Sequence, residues 1–576
     1  MQREWMMPPA IGAGGAGFRA RVLGRRQIEI GIALLALLPL ALFVLYPLWT
    51  ILRESLLHPD GHWGLDYYDL YIRDPHFRQA LLNTLSVSFW ATLATVVIAF
   101  GYAFALKRTQ APLKWLWHSV ILLPLFAPSL IQALGVQFLL GRNGIVNRTL
   151  GTDFDIYGFW GILISNVLYG LPHAYLVLMV ALTGADARLY DAAKMLGAGG
   201  LRQFLSVTLP GARYGILSAV FLGFAINISE FGNPMVLGGD YNVLATEIYN
   251  QVAGQANFHL GAVIGVLLLV PVLVSVVAEK WIARRQPPIS AQATPYRPAR
   301  SWRLDGVMLV FLGVVAMAIV AVMGVVIVAS FMRLWPYNLS FTLQHYRLDV
   351  PGGYGALWVS LKMSLIAAAI GVVVATVGAM IVQRLSSRLR QVLYLASVVP
   401  AAVPGMVLGL GYVLAFNQPS IPVYWLYGSI LLLSLCTVYH YHAQAFLIAT
   451  TGLKQIDHGL QEASQVLGAG VLHTARHVTL PLISPAMASI GMFYFMHSMV
   501  TISALIFLVS PGTTPAAVSV LLLNDAGNWP QAAAFATIIM VTIVAVIGVA
   551  KALVWILGKA RRSAVVPSSS SHVNHS

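Results

Sequence analysis

Few residues in this chain are equipped for chemistry. His440 and His442 flank a tyrosine in the tripeptide HYH, and imidazoles are the commonest metal ligands. On one helix their side chains stand about 200° apart, so a single ion cannot take both. Cys436 is the sole cysteine, which excludes an intrachain disulfide and a thiolate metal cage; it reads as a small core residue. No GxxxxGK[ST] phosphate loop is present, so the chain is not expected to bind ATP. What remains is scattered: Asn166, His173, Asn227, Glu230, His440, His442 and His497 lie in or beside apolar stretches. Facing lipid they would be costly. They therefore either line a polar pathway for a zwitterionic or anionic solute, or hydrogen-bond one helix to another, or sit at a membrane interface. An enzyme needs convergent titratable groups; these are dispersed. The expectation is no catalytic residue, no metal and no bound cofactor.

The elements that must position these groups are long and apolar. Of 576 residues, 58% are hydrophobic and 10% charged, whereas soluble proteins carry about 25% charged residues. Stretches of about 18 or more apolar residues read as membrane-spanning helices. Twelve are predicted, at about 28–52, 80–106, 114–140, 158–183, 214–230, 259–282, 304–332, 357–382, 391–415, 424–450, 485–509 and 530–557, giving an all-α polytopic fold in the lipid bilayer. The net charge of +15 does not point to nucleic acid, because the basic residues sit beside the apolar blocks and form no single patch. With the N-terminus inside, 27 of the 35 Lys and Arg residues fall on cytoplasmic segments. That bias predicts cytoplasmic termini. No small-residue cleavage site follows the first block, so 28–52 reads as a retained helix and not a signal peptide.

The chain divides into a cytoplasmic tail (1–27), a first six-helix half (28–283), a proline-rich cytoplasmic linker (284–303), a second half (304–560) and a disordered tail (561–576). The halves repeat. Residues 81–108 align without gaps to 357–384, and LPLFAPSLIQALG (123–135) aligns to VPAAVPGMVLGLG (399–411), pairing Pro124 with Pro400, Pro128 with Pro404 and Gly135 with Gly411. The proline pairs and Thr84/Ser360 read as kink and packing positions. An even number of spans per half makes the repeats parallel, with the natural pathway between them.

One polar segment recurs more faithfully than the spans. LYDAAKMLGAGG (189–200) matches LQEASQVLGAGV (460–471), and both run on to Thr-Leu-Pro at 208–210 and 479–481. Leu189, Ala192, Ala193 and Leu196 share one helix face; Leu460, Ala463 and Leu467 repeat it. Gly197 and Gly468 stop the helix through a left-handed residue. A second short helix follows, and Leu-Pro is expected to end it. The prediction is a repeated helix–turn–helix elbow on the cytoplasmic side: a docking surface, or a pair of interfacial helices. The latter usually carry a Lys/Arg-rich polar face, which these lack.

DAAKMLGAGGLRQFLSVTLP and EASQVLGAGVLHTARHVTLP resemble the EAA loop of ABC-importer permeases, in sequence and in position between the fourth and fifth spans of each half. The likeness covers nearly the whole chain. It implies the type I importer permease fold, with Asp191, Ala192, Ala193, Gly197, Leu209 and Pro210, and Glu462, Ala463, Ser464, Gly468, Leu480 and Pro481, forming two coupling helices. Asp191 stands where the family favours Glu, and Ser464 stands at the second small position. Two ABC ATPase subunits would dock at the cytoplasmic face and carry ATP and Mg, and a periplasmic substrate-binding protein would deliver the solute. The residues 230–255 and 497–511 look most like 2-aminoethylphosphonate permeases, with ferric-iron and thiamine permeases as alternatives. A secondary transporter with parallel repeats would explain the symmetry but not the two elbows.

Overall fold

The computed structural model describes residues 15–565, except 59, 185, 286–293, 295, 297, 349–352 and 386. The outermost parts of both tails and half of the linker therefore lie outside the described residues. Among the described residues nine helices are long and apolar enough to cross a membrane, and three bent helix pairs raise the total to twelve if each pair is one span. The protein is a polytopic helical membrane protein.

Two of the bends are repeats of one another. Lys114–Phe126 meets Ser129–Leu150 at 103°, and Arg388–Ala402 meets Gly405–Phe416 at 107°. Pro128 and Pro404 open the second helix of each pair. The residue before a proline is pushed out of the helical region, and Ala127 (φ −128°, ψ 142°) and Val403 (φ −105°, ψ 112°) are extended. The third bend, 59° between Ile430–His440 and His442–Lys454, breaks at Tyr441. Its first-half counterpart, Phe159–Thr183, is unbroken despite Pro172.

The halves exchange their first spans. The helix Tyr46–Leu56 packs on Gly405–Phe416 of the second half, and Trp302–Ser330 packs on Ser129–Leu140 of the first. Gly411 and Gly135 make these crossings possible. A Cβ on Gly411 would stand 2.8 Å from the Pro47 carbonyl oxygen, and one on Gly135 would fall on the Val322 carbonyl. Tyr412 donates to the Phe43 carbonyl (2.9 Å) across the first crossing, and Trp335 Nε1 donates to the Phe138 carbonyl (3.1 Å) beside the second.

The fifth and eleventh spans are each followed by a segment folded back into the protein, containing Gly232–Leu237 and Leu244–Tyr249 in the first half and Ala516–Asp525 in the second. Thr84 and Ser360 fix these segments. Thr84 Oγ1 accepts from the Leu244 amide and Ser360 Oγ from the Ala516 amide, both at 2.8 Å. The eleventh span is displaced from the expected 485–509: its helix runs from Leu472 to Val500, and 501–515 is an irregular, largely buried turn.

Candidate coupling elbows and the central seam

The first elbow is the helix Ala187–Met195, capped at its start by Asp186 accepting from the Arg188 amide (3.0 Å). The second is His458–Val466, where Asp457 accepts from the Gly459 amide (2.9 Å). Both end on a left-handed glycine, Gly197 at φ +75° and Gly468 at φ +77°, closed by the Ala198 amide on the Ala193 carbonyl and the Ala469 amide on the Ser464 carbonyl. Nothing lies within 4 Å of a Cβ at either glycine, so backbone conformation and not space demands glycine here. The apolar faces are bare: Leu196 is 84% and Leu467 86% exposed, with Met195 and Val466 equally open beside them. Asp191, Ala192, Glu462 and Ala463 are exposed too, while Ala193 and Ser464 are half-buried against the elbow's own second arm.

A hydroxyl pair braces each elbow. Tyr190 is buried and its hydroxyl meets Thr208 Oγ1 at 2.9 Å; Ser464 Oγ meets Thr474 Oγ1 at 2.8 Å. Ser464 thus has a structural use in the second elbow. Two described linker residues, Thr294 and Tyr296, touch the start of the first elbow. The Arg108 guanidinium lies over the rings of Tyr190 and Tyr296, 4.9 and 4.6 Å from their centroids, and donates to the Leu182 carbonyl. The Ala187 amide donates to the Thr294 carbonyl (3.0 Å).

One expectation is overturned. Leu209-Pro210 and Leu480-Pro481 do not end the second arm. Helix continues from Gly200 to Ile228 and from Leu472 to Val500. A single wide turn precedes each proline, Phe204–Thr208 and Ala475–Thr479, in which the Leu209 and Leu480 amides reach back five residues to the Phe204 and Ala475 carbonyls. That extra residue per turn absorbs the missing proline N–H and its ring clash without breaking the helix. Each elbow is therefore continuous with a membrane span.

The far ends of those spans converge where the halves meet. Glu230, buried, accepts from the amides of Gly232 (2.9 Å) and Asn233 (3.3 Å). Its cavity, about 40 Å³, is walled by Ser129, Tyr169 and Glu230 of the first half and Tyr441, Thr501 and Ser503 of the second. That is room for a few waters and not for a hydrated solute, so the seam is closed. Pseudo-symmetry places Gly232 opposite Ser129 but Ser503 opposite Gly405. A Cβ on Gly232 would stand 2.6 Å from Ser129 Oγ, and one on Gly405 would fall on Ser503 Oγ. Each half thus supplies one hydroxyl and one glycine to the same contact, with the roles exchanged.

The sequence candidates separate into two groups. Glu230 lines the seam cavity. His497 is next to it, its ring 4.8 Å from Tyr441 and 4.3 Å from Phe493, and His440 packs edge-on to Tyr441. His173 is half-buried one turn from Tyr169, with Nδ1 3.3 Å from the Tyr169 carbonyl. Asn166 and Asn227 instead join helices: Asn166 Oδ1 accepts from Asn233 Nδ2 and Asn227 Nδ2 donates to Thr92 Oγ1, both at 3.0 Å. His442 is in the core against Phe446. Tyr169, Tyr441, Thr501 and Ser503 were not singled out from the sequence. The offset of 271 residues between the two elbow segments (189–200 and 460–471) contained the signal, since it maps Glu230 onto Thr501 and Gly232 onto Ser503.

A closed helical membrane protein of two parallel repeats, each with an elbow leading into a span that ends at the shared seam, is the architecture of a transporter. The description "Binding-protein-dependent transport system inner membrane component" matches residues 97–286 and 367–554, and the chain belongs to that family: it is a permease subunit of the ABC-importer class, a transport protein of the inner membrane and not an enzyme. The ferric transport system permease protein FbpB of Actinobacillus pleuropneumoniae is 29% identical over 550 residues, covering 92% of this chain and 79% of its own length. A Salmonella typhimurium protein carrying the description 2-aminoethylphosphonate transport system permease, PhnU, is 26% identical over 246 residues, covering 41% of this chain and 86% of its own. A solved structure of a bacterial ABC transporter involved in alginate import overlaps 46% of this chain and 99% of its own at a TM-score of 0.39 and 17% identity, an overlap too low to bear on the assignment.

Proposed function

We propose that this chain carries ferric ion from a periplasmic binding protein to the cytoplasm, driven by two separate ABC ATPase subunits that hold the two elbows. The observation that carries the coupling is the matched pair of bare apolar elbows, each helically continuous with a span that ends at the seam. Movement of an ATPase pair would pull on Gly200–Ile228 and Leu472–Val500 together and part Glu230 from Thr501. That is alternating access through a two-state interface biased by nucleotide. ATP and Mg belong to the ATPase subunits. The distribution of basic residues supports a cytoplasmic location for the elbows and both termini.

Two observations favour ferric ion over the 2-aminoethylphosphonate expected from local sequence likeness. The fused ferric permease aligns along 92% of this chain and the phosphonate permease along 41%. The seam cavity also has a carboxylate and two phenols among its lining groups and neither Lys nor Arg, which suits a hard cation better than an anionic phosphonate. 2-Aminoethylphosphonate is the second reading, supported by residues 230–255 and 497–511. Proteoliposomes holding the permease, its ATPase and its binding protein test both parts. Uptake of iron with ferric-loaded binding protein is the expected result, and uptake of the phosphonate alone reassigns the cargo. Changing Gly197 and Gly468 together to tryptophan should abolish ATPase association; transport surviving that change refutes the coupling.

A further inference from the structure

On the face opposite the elbows, the chain leaves its first span through HPDGHWGLD (58–66). The segment turns tightly on itself. The Gly61 amide donates to the His58 carbonyl and the His58 amide to the His62 carbonyl, both at 2.9 Å, with Gly61 at φ +85° and Leu57 bridged to Trp63. The turn stacks the two imidazoles, centroids 4.4 Å apart and 22° from parallel. Asp66 Oδ2 is 3.4 Å from His62 Nε2. One donor atom from each of His58, His62 and Asp66 lies within 4.8 Å of the other two.

We propose that His58, His62 and Asp66 form a binding site for a divalent transition-metal ion of the zinc and cobalt class. Donors about 2.1 Å from a shared ion stand about 3.4 Å apart in a tetrahedron and about 4.2 Å apart across an octahedron. The His62–Asp66 pair already has the tetrahedral spacing, and a side-chain shift of about 1 Å brings in His58, whose donor lies within 4.8 Å of the other two. Two imidazoles with one carboxylate suit a borderline ion of this kind better than magnesium or calcium. Asp60, with Oδ2 3.2 Å from His58 Nδ1, is placed to supply a fourth oxygen.

An ordinary surface ion pair explains less of this arrangement. Exposed pairs contribute little and need no enclosure. Here His62 and Asp66 are exposed, but His58 Nδ1 is shut off from solvent, with the Asp60 carboxylate 3.2 Å away as its one polar neighbour. Gly64 leaves the space that Asp66 uses, since a Cβ there would fall on Asp66 Oδ2. Tyr67 stacks on His58 on one side and on His259 on the other, both at 5.5 Å, and His259 Nδ1 is 3.2 Å from Glu54 Oε1. The site is separate from the seam and does not depend on the cargo.

The test is a Co²⁺ titration of the full chain, purified through a tag without histidines and followed by visible d–d absorption. One saturating Co²⁺ per chain, displaced by Zn²⁺, is expected. His58→Ala with His62→Ala should remove the signal, Asp66→Asn should weaken binding at least tenfold, and His572→Ala with His575→Ala near the C-terminus should change nothing. Thermal unfolding of each variant in metal-free buffer verifies that it folds. A folded wild type without the absorption, or an unchanged signal in the folded His58/His62 variant, overturns the proposal.

Discussion

Truncating Leu196 and Leu467 to alanine tests the elbows without disturbing the permease. Both side chains are more than four-fifths exposed, so the free protein loses almost no packing. If each inserts into an ATPase groove, its burial contributes about 1.5–3 kcal/mol. Taking about 2 kcal/mol for the truncation, each single variant should weaken ATPase binding about 30-fold. The elbows are in different halves and share no partner within this chain, so the effects should add. The double variant then loses about 4 kcal/mol, close to a thousandfold. Dissociation constants for the ATPase against permease in nanodiscs measure this directly, with Leu365→Ala on an exposed span face as a control that should match wild type. Unfolding temperatures of all variants should agree. A double variant that binds within about threefold of wild type would refute docking through these faces.

Three further outcomes are expected. Gly135→Ala should destabilise the protein by about 1–3 kcal/mol in chemical unfolding, because its Cβ meets the Val322 carbonyl; Gly306→Ala, with nothing within 4 Å, should be neutral or stabilising by up to about 1 kcal/mol through helix propensity. Tyr296→Ala should make the linker more sensitive to protease and cost about 1 kcal/mol, the order of one buried cation–π contact with Arg108, while the second elbow keeps its hydrogen-exchange protection. Arg142 donates to Asp155 (2.8 Å), and this bond, then the Tyr157 amide, holds the Asp155 carboxyl below its usual 3.8. The contribution of the pair is therefore complete above the ordinary aspartate range and lost as pH falls through the lowered value. Asp155→Asn should lower the unfolding temperature slightly at pH 7, and the difference should shrink below the usual aspartate value and vanish only below the lowered one.

Sequence by itself determined the features set by local or repeated chemistry. Hydrophobic length fixes spans, because lipid satisfies no backbone amide. Glycines 197 and 468 fix the elbows, because left-handed backbone has a local cost. The offsets of 271 and 276 residues (189 to 460, 81 to 357) pair the halves, because duplicated segments meet duplicated demands, as Thr84 and Ser360 do at a helix start in each half. Proline was misread where its consequence depended on the preceding turn: Pro210 and Pro481 are accommodated by a wide turn, whereas Pro128 and Pro404 break their spans. Tertiary structure alone decided which side of each span faces the partner half. Lipid and protein interior are both apolar, so a span's sequence carries no strong periodic signal for its buried side. Hence Glu230 at the seam and Asn227 on a neighbouring helix look alike in sequence. The exchange of first spans across Gly135 and Gly411, and the meeting of Tyr169, Tyr441 and Thr501, required packing between residues hundreds of positions apart.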